Sequence, residues 1–264
     1  MCRRTLWSGA LLLVFVPALV ALDDKKEPGT PKEQYNALLK EYQKAQTDFS
    51  KSYREAKTDE ERRKAIEQMP NPQKFASRFL AIAAKNPKDP VAFDALVWVV
   101  MNARGGKDVD QAIAQLATDH ITNPRLGQVC MSLARATSPE AEKLLRAVLE
   151  KNPDKNVQGQ ACLALAQNLK YQAEMAQRVK RPDAEQLLQQ AEKLFERVVK
   201  EYGNAKDLRG VPLAQSAKPE LFEIRYLSVG KTAPEIEGED LDGVKFKLSD
   251  YRGKVVFLDF WGHW

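Results

Sequence analysis

The stretch Val-Cys-Met-Ser-Leu-Ala at residues 129–134 recurs as Ala-Cys-Leu-Ala-Leu-Ala at residues 161–166, 32 positions further along the chain. A second pair repeats in the same region, where residues 141–149 are similar to residues 191–199. A period in the thirties is typical of stacked helix pairs, in which each repeat buries its apolar face against its neighbours. The sequence therefore predicts a mainly α-helical fold built from repeats.

The helical pattern extends outward from these repeats over residues 32–227. Five apolar residues recur at helical spacing near its start: Tyr35, Leu38, Tyr42, Phe49 and Ala56. Thr58 three residues before Glu61 predicts a capping box, and Ser138 before Pro139 predicts another helix start. Gly203 is expected to end a helix. Residues 32–227 thus resemble an α-solenoid, and most closely tetratricopeptide repeats, in a degenerate form.

The three Asn-Pro pairs at 86–87, 123–124 and 152–153 each precede a predicted helix rich in small and apolar residues. The charged fraction of 29% is that of an ordinary globular chain of 264 residues. The net charge of +5, with no basic run among aromatic residues, does not favour nucleic-acid binding.

The first residues have the pattern of a targeting segment. Arg3 and Arg4 precede a charge-free run over residues 6–22, and the chain then turns sharply polar. We predict a signal peptide over residues 1–22, with an uncleaved membrane anchor through residues 6–22 as the alternative. Residues 23–31 are the predicted linker, and the mature chain is expected to be exported, in the periplasm or elsewhere outside the cytoplasm.

Cys130 and Cys162 occupy equivalent positions in successive predicted repeats. Packed helices lie about 8–10 Å apart, whereas a disulfide requires Cα atoms within about 7 Å. We therefore expect two buried free thiols, with a structural disulfide as the alternative. No paired Cys, His or acidic residues stand at metal-ligand spacing, and His120 is predicted to be a solvated residue near a helix end.

The helical spacing of apolar residues ends after residue 227. Asp242-Gly243 is a tight-turn dipeptide between residues 236–241 and residues 244–248, which predicts a β-hairpin with one buried face. A polar turn is expected at residues 249–254. Residues 255–261 then form a continuous apolar run of the kind found in a strand buried on both faces of a sheet.

Four motifs in this terminal region stand in the order found in redoxin domains. They are Gly230-x-x-Ala233-Pro234, Asp240-Leu241-Asp242-Gly243, Leu248-Ser249-Asp250-Tyr251-Arg252-Gly253-Lys254, and the apolar run that leads into Trp261-Gly262-His263-Trp264. Residues 228–264 therefore resemble the start of a thioredoxin-like α/β domain of the alkyl-hydroperoxide-reductase/thiol-specific-antioxidant and TlpA-type thiol:disulfide oxidoreductase group. The resemblance implies an incomplete domain, consisting of the hairpin and the first core strand.

The same resemblance assigns roles to residues that flank an active site. Trp261, Gly262, His263 and Trp264 are similar to the lead-in to a Cys-x-x-Cys pair, which would be expected just beyond Trp264, so no catalytic residue is expected in this chain. By resemblance Asp259 would shuttle a proton for the second cysteine, and burial would raise its pKa. The alternative is a structural acid that reaches the strand edge or a nearby lysine. The two tryptophans are expected to pack and to shield the site.

The resemblance implies the N-terminal part of an exported thiol:disulfide oxidoreductase, inactive by itself and without cofactor or metal. Its expected partners are thiol and disulfide proteins outside the cytoplasm, together with a peptide or protein ligand of the helical repeats. No nucleic acid is expected, and membrane contact would occur only through an uncleaved residue 6–22 segment. Two alternatives remain: a helical protein-binding scaffold with a vestigial redoxin segment, and a peroxiredoxin-like peroxidase.

Overall fold

The computed structural model describes residues 29–228 and 230–259, and within them the chain is mainly α-helical, as the sequence predicts. The α-helices are α1 Pro31–Glu55, α2 Asp59–Glu67, α3 Pro72–Lys85, α4 Pro90–Asn102, α5 Lys107–Asp119, α6 Leu126–Ser132, α7 Pro139–Lys151, α8 Lys155–Arg178, α9 Ala184–Glu201 and α10 Leu213–Phe222. A π-helical segment, Glu223–Leu227, continues α10. The strands β1 Glu237–Glu239 and β2 Lys245–Lys247 and a 3₁₀ helix, Leu248–Tyr251, follow.

Alternate helices of the chain are neighbours in space. Helices α3, α5 and α7 contact one another in succession, and α4, α6, α8 and α10 form a second row beside them. Contacts between the rows, from α3 to α4 and from α7 to α8, close a shared apolar core, and α9 packs against α8 and α10. Helix α1 packs against α3 and α4 at one end of this stack, where Leu38 and Tyr42 are buried.

The local signals at helix ends are confirmed. The Thr58 Oγ1 accepts a hydrogen bond from the Glu61 N–H at 3.2 Å, while the Thr58 N–H donates to Glu61 Oε2 at 3.0 Å. Ser138 caps α7, where its Oγ accepts from the Glu140 N–H. Gly203 follows the end of α9. These contacts satisfy amides that a helix start leaves without intrahelical partners.

Helix α8 is the most completely enclosed part of the core. Residues 161–166 are all buried, and so is Gly159. A Cβ atom at Gly159 would lie only 2.9 Å from Leu213 Cδ1 and 3.0 Å from Tyr202 Cβ. Glycine is therefore required at this position for α8 to approach α10 and the end of α9 so closely.

Two buried asparagines tie the helices to loops that lie earlier in the chain. The Asn168 side-chain amide donates to the Leu133 carbonyl at 3.0 Å and to the Ala136 carbonyl at 2.7 Å. The Asn152 amide donates to the Ile121 carbonyl at 2.8 Å. Because a buried carbonyl without a partner is costly, each amide stabilises a turn that would otherwise have unpaired groups.

The structure corrects the prediction for His120. Its ring is half-buried at the end of α5, edge-on to Phe93 at a centroid distance of 5.5 Å. Its Nε2 is buried and has no hydrogen-bond partner among the described residues. Burial lowers the pKa of His120, opposite to the effect of a helix C-terminus on a solvated imidazole. The ring packs on Phe93 rather than facing solvent, so the solvated assignment is wrong.

None of the described helices is both long enough and apolar enough to cross a bilayer.

Replacing Asn168 with Ala removes both hydrogen bonds to the loop between α6 and α7. We expect the free energy of unfolding to fall by about 1–3 kcal/mol, because the Ala136 carbonyl loses its donor, whereas the Leu133 carbonyl keeps the hydrogen bond from the Ala136 N–H at 3.0 Å. Urea denaturation followed by circular dichroism measures this change. Asn36→Ala, at an exposed α1 position, is the matched control and should change stability by less than about 0.5 kcal/mol. Equal effects of the two substitutions would contradict the structural role of Asn168.

Candidate functional site

The predicted β-hairpin is present in the terminal segment. Strands β1 and β2 pair antiparallel, with Gly238 opposite Phe246. Asp240 closes the loop between them, since its Oδ1 accepts hydrogen bonds from the Asp242 N–H at 3.0 Å and the Val244 N–H at 2.9 Å. Gly243 has a φ of 77°, a conformation that favours glycine. The hairpin prediction is confirmed, although the strands are shorter than residues 236–241 and 244–248.

One face of the hairpin carries its apolar contacts. The Phe246 ring lies over Gly238, where a Cβ atom would come within 2.9 Å of Phe246 Cζ. Phe246 also meets Tyr251 edge-on at a centroid distance of 6.4 Å. Phe246 and Leu248 are half-buried while Lys245 is exposed, so the predicted alternation is present. No described residue from 230 to 259 is fully buried, however, so this face is only partly covered.

The turn after β2 is held by carboxylates. Glu235 Oε1 accepts from the Ser249 N–H at 2.9 Å, and Asp250 Oδ2 accepts from the Lys247 N–H at 2.9 Å. Hydrogen bonds from the side chain and the backbone of Ser249 lower the pKa of Glu235. Lys247 Nζ also pairs with Glu237 across the hairpin at 2.5 Å. These contacts place the polar turn where the sequence predicts it, at residues 249–254.

The structure does not bear out a strand over the described part of residues 255–261. Residues 255–259 form no regular secondary structure, and the side chains of Val255 and Phe257 are 102% and 91% exposed. A strand requires a neighbour to accept and donate its ladder hydrogen bonds, and no described residue pairs with this segment. The predicted strand is therefore absent from the described residues for lack of a pairing partner.

Asp259 differs from its prediction in the same way. Its side chain is exposed, so it lacks the buried environment that was predicted for it. It makes no ion pair or hydrogen bond with a described residue, so the alternative contact with a nearby lysine is not observed either. The predicted flanking residues Trp261, Gly262, His263 and Trp264 lie outside the described residues.

The two cysteines of the helical region are free and buried, in α6 and α8. Burial raises the pKa of Cys130 to about 12 and that of Cys162 to about 12. The Cys162 Sγ donates weakly to the Leu194 carbonyl at 3.6 Å. The free-thiol prediction is confirmed and the disulfide alternative is wrong. Because the thiolate is the reactive form, neither cysteine is suited to disulfide exchange.

Among the residues that the structure describes, no group of three or more His, Cys, Asp or Glu side chains is placed to hold a metal ion.

The helical segment that precedes the terminal region is fixed by ion pairs that sequence reasoning did not find. Lys170 on α8 meets Glu220 at 2.6 Å and Glu223 at 2.7 Å, and its side chain is only 12% exposed. Burial acts to lower the pKa of Lys170, but hydrogen bonds to the two carboxylates outweigh it and raise the pKa. The only local signal was Glu174, four residues after Lys170, which lies at 4.0 Å.

A second ion cluster holds the same segment from the other side. Arg225 in the π-helical segment meets Glu192 on α9 at 2.6 Å and also contacts Glu196. Ion pairs with α8 and with α9 therefore hold the end of the helical region in place. The point at which the chain leaves for the terminal region is fixed relative to the helical core.

Comparison with known proteins finds a short similarity to thiol-disulfide oxidoreductases. The chain is 55% identical over 38 residues to Thiol-disulfide oxidoreductase ResA of Geobacillus thermodenitrificans (strain NG80-2) and 58% identical over 38 residues to ResA of Geobacillus kaustophilus (strain HTA426). ResA of Bacillus subtilis (strain 168) is 50% identical over 38 residues. Each match covers 14% of this chain and 21–22% of the relative.

The chain thus spans about a fifth of the length of the curated relatives it matches. No protein-family model and no solved structure matches the chain. The short similarity supports a redox-related, thioredoxin-like segment.

Replacing Lys170 with Met leaves Glu220 and Glu223 without their shared cation. We expect the unfolding free energy to fall by about 1–2 kcal/mol, and hydrogen exchange in residues 220–227 to accelerate. Lys44→Met, which breaks an exposed pair with Asp48, is the control and should cost less than about 0.5 kcal/mol.

The pH dependence of the Lys170 contribution follows from the raised pKa of that residue. The contribution is fully present below the unfolded value of 10.5 and is lost as the pH rises through the higher folded value. The stability difference between wild type and Lys170→Met should therefore be constant from neutral pH to about pH 10 and narrow above it. A difference that narrows already near neutral pH would contradict this assignment.

Proposed function

We propose that this chain is the N-terminal part of an exported thiol:disulfide oxidoreductase, with a helical-repeat domain followed by the start of a thioredoxin-like domain. The observation that carries the proposal is the 50–58% identity to ResA proteins over 38 residues. This length is close to that of residues 228–264, where the redoxin-like motifs occur in order. The hairpin β1–β2 supports the same assignment, because it forms where those motifs require a turn.

Disulfide exchange needs a cysteine that is a thiolate near neutral pH. In the proposed full-length protein that cysteine is the first of a Cys-x-x-Cys pair directly after Trp264, at a helix start whose free amides and dipole lower its pKa. Residues 255–261 would become a strand once further strands of the domain supply ladder partners. Burial in that sheet would give Asp259 the environment for moving a proton to and from the second cysteine.

The helical region would serve this chemistry by binding the protein whose disulfide is exchanged. Its alternating rows of helices support an α-solenoid similar to tetratricopeptide repeats, a class whose stacked units present extended surfaces. The ion clusters around Lys170 and Arg225 would hold the redox domain at a fixed point on this surface. Residues 1–22 support export, either as a signal peptide or as an anchor through residues 6–22.

A second candidate function is a protein-binding scaffold in which the redoxin segment is vestigial. The observation that favours it is that the buried residues of the described chain lie in the helical region and not in the terminal segment. The helical region encloses a full apolar core, whereas no described residue from 230 to 259 is buried. Both cysteines of the core are shielded, so the scaffold would have no redox chemistry.

The nucleotide sequence that follows the Trp264 codon distinguishes the two functions. A Cys-x-x-Cys within the first few codons, in any frame, is the result expected for the oxidoreductase. A coding sequence that continues without a cysteine pair, or a stop codon with no such pair downstream, would contradict it and favour the scaffold.

Residues 1–264 by themselves should not reduce insulin disulfides with dithiothreitol as electron donor. We expect a rate equal to that of the Cys130→Ser/Cys162→Ser double variant, because both thiols are buried with pKa values of about 12. Insulin turbidity measures the rate. Turnover clearly above the double variant would show that one of these cysteines is reactive, contrary to the proposed location of the redox pair.

A further inference from the structure

The turn between α5 and α6, residues 120–125, is tied to two other helices of the stack. The Asn152 side-chain amide, directly after α7, donates to the Ile121 carbonyl at 2.8 Å. At the other end of the turn, the Arg125 guanidinium pairs with Asp94 on α4 at 2.7 Å. These contacts make the turn a junction between the helices that precede it and those that follow it.

The Phe93 ring of α4 is contacted from both ends of this turn. His120 meets the ring edge-on at a centroid distance of 5.5 Å, and the Arg125 guanidinium lies over it at 5.0 Å. Phe93 itself is only 2% exposed and belongs to the apolar core. Two side chains on one buried ring therefore hold the turn against the core.

The His120 ring is placed so that it fits only in its neutral form. Its Nε2 atom is buried and has no hydrogen-bond partner within the described part of the chain. A neutral imidazole leaves one of its nitrogens without a proton, so the ring can occupy this position at little cost. A protonated imidazole carries N–H groups on both nitrogens, and its buried N–H would be a charged donor without an acceptor.

The charged groups around the imidazole offset little of this cost. Asp119, exposed and next to it on α5, favours protonation, but burial outweighs this carboxylate and lowers the pKa of the imidazole. Asp94 on α4 is already paired with Arg125. Tyr35 on α1 lies near that pair and stays neutral below its raised pKa. From α7, the side chain that reaches the turn is the neutral amide of Asn152.

We propose that His120 is an acid-sensitive latch on the turn between α5 and α6. When the ring takes up a proton, it leaves Phe93 so that Nε2 reaches solvent, and residues 120–125 open while the surrounding helices stay folded. Opening loosens the ties of the turn to α4 and α7, so that the helices before the turn can shift relative to those after it. The inference concerns the helical region alone and does not rest on the proposed redox function.

The first part of the test is an NMR titration of the imidazole C–H signals of the full chain, which has two histidines, His120 and His263. We expect the signal that is lost in His120→Phe, and kept in His263→Gln, to titrate with a midpoint below the ordinary value of 6.5. Asp119→Asn removes the carboxylate that favours protonation and should lower this midpoint further. A His120 midpoint at or above 6.5 would overturn the proposal.

The second part is hydrogen exchange of residues 120–126, corrected for the intrinsic exchange rate at each pH. Below pH 6.5 we expect protection of these amides to fall by up to about tenfold per pH unit, the slope for one proton taken up on opening, until the folded midpoint is reached. His120→Phe, whose ring does not titrate, should lack this slope, and residues 161–166 of α8 should stay more protected than the turn throughout. The same slope in wild type and His120→Phe would overturn the latch. Equal exchange of the turn and of residues 161–166 at about pH 5 would also overturn it, because acid would then act only through global unfolding.

Discussion

The burial of α8 is the constraint on which the rest of the helical structure depends. Its middle, residues 161–166, is enclosed by contacts of α8 with α6, α7, α9 and α10. Alternating small and large side chains make this possible, because the alanines permit close approach while the leucines fill the space between helices. Cys162 serves there as a small apolar residue, and the same burial raises the pKa of its thiol.

The sequence was sufficient for features that depend on neighbouring residues. The Thr58 capping box, the Ser138 cap and the Asp242-Gly243 turn all involve groups within a few positions of one another. The free thiols were also predictable, because the repeat placed both cysteines at equivalent core positions. The long-range contacts were not predictable from the sequence. Lys170 pairs with a carboxylate 50 positions away, and no local pattern indicates it.

The wrong predictions also have long-range causes, because they depend on contacts with residues distant in the sequence. His120 has the local signature of a solvated helix end, but Phe93 from a different helix covers its ring. Residues 255–259 have the composition of a core strand, but composition does not supply a ladder partner.

The chain has a cooperative helical core and a terminal segment that contributes little burial to it. Native-state hydrogen exchange followed by mass spectrometry tests this division directly. The account predicts strong protection in α4, α7 and α8 and near-complete exchange within seconds in residues 252–259, with the hairpin β1–β2 only weakly protected. Protection of residues 237–259 equal to that of α8 would contradict it, because it would show that the terminal segment is part of the same folded core.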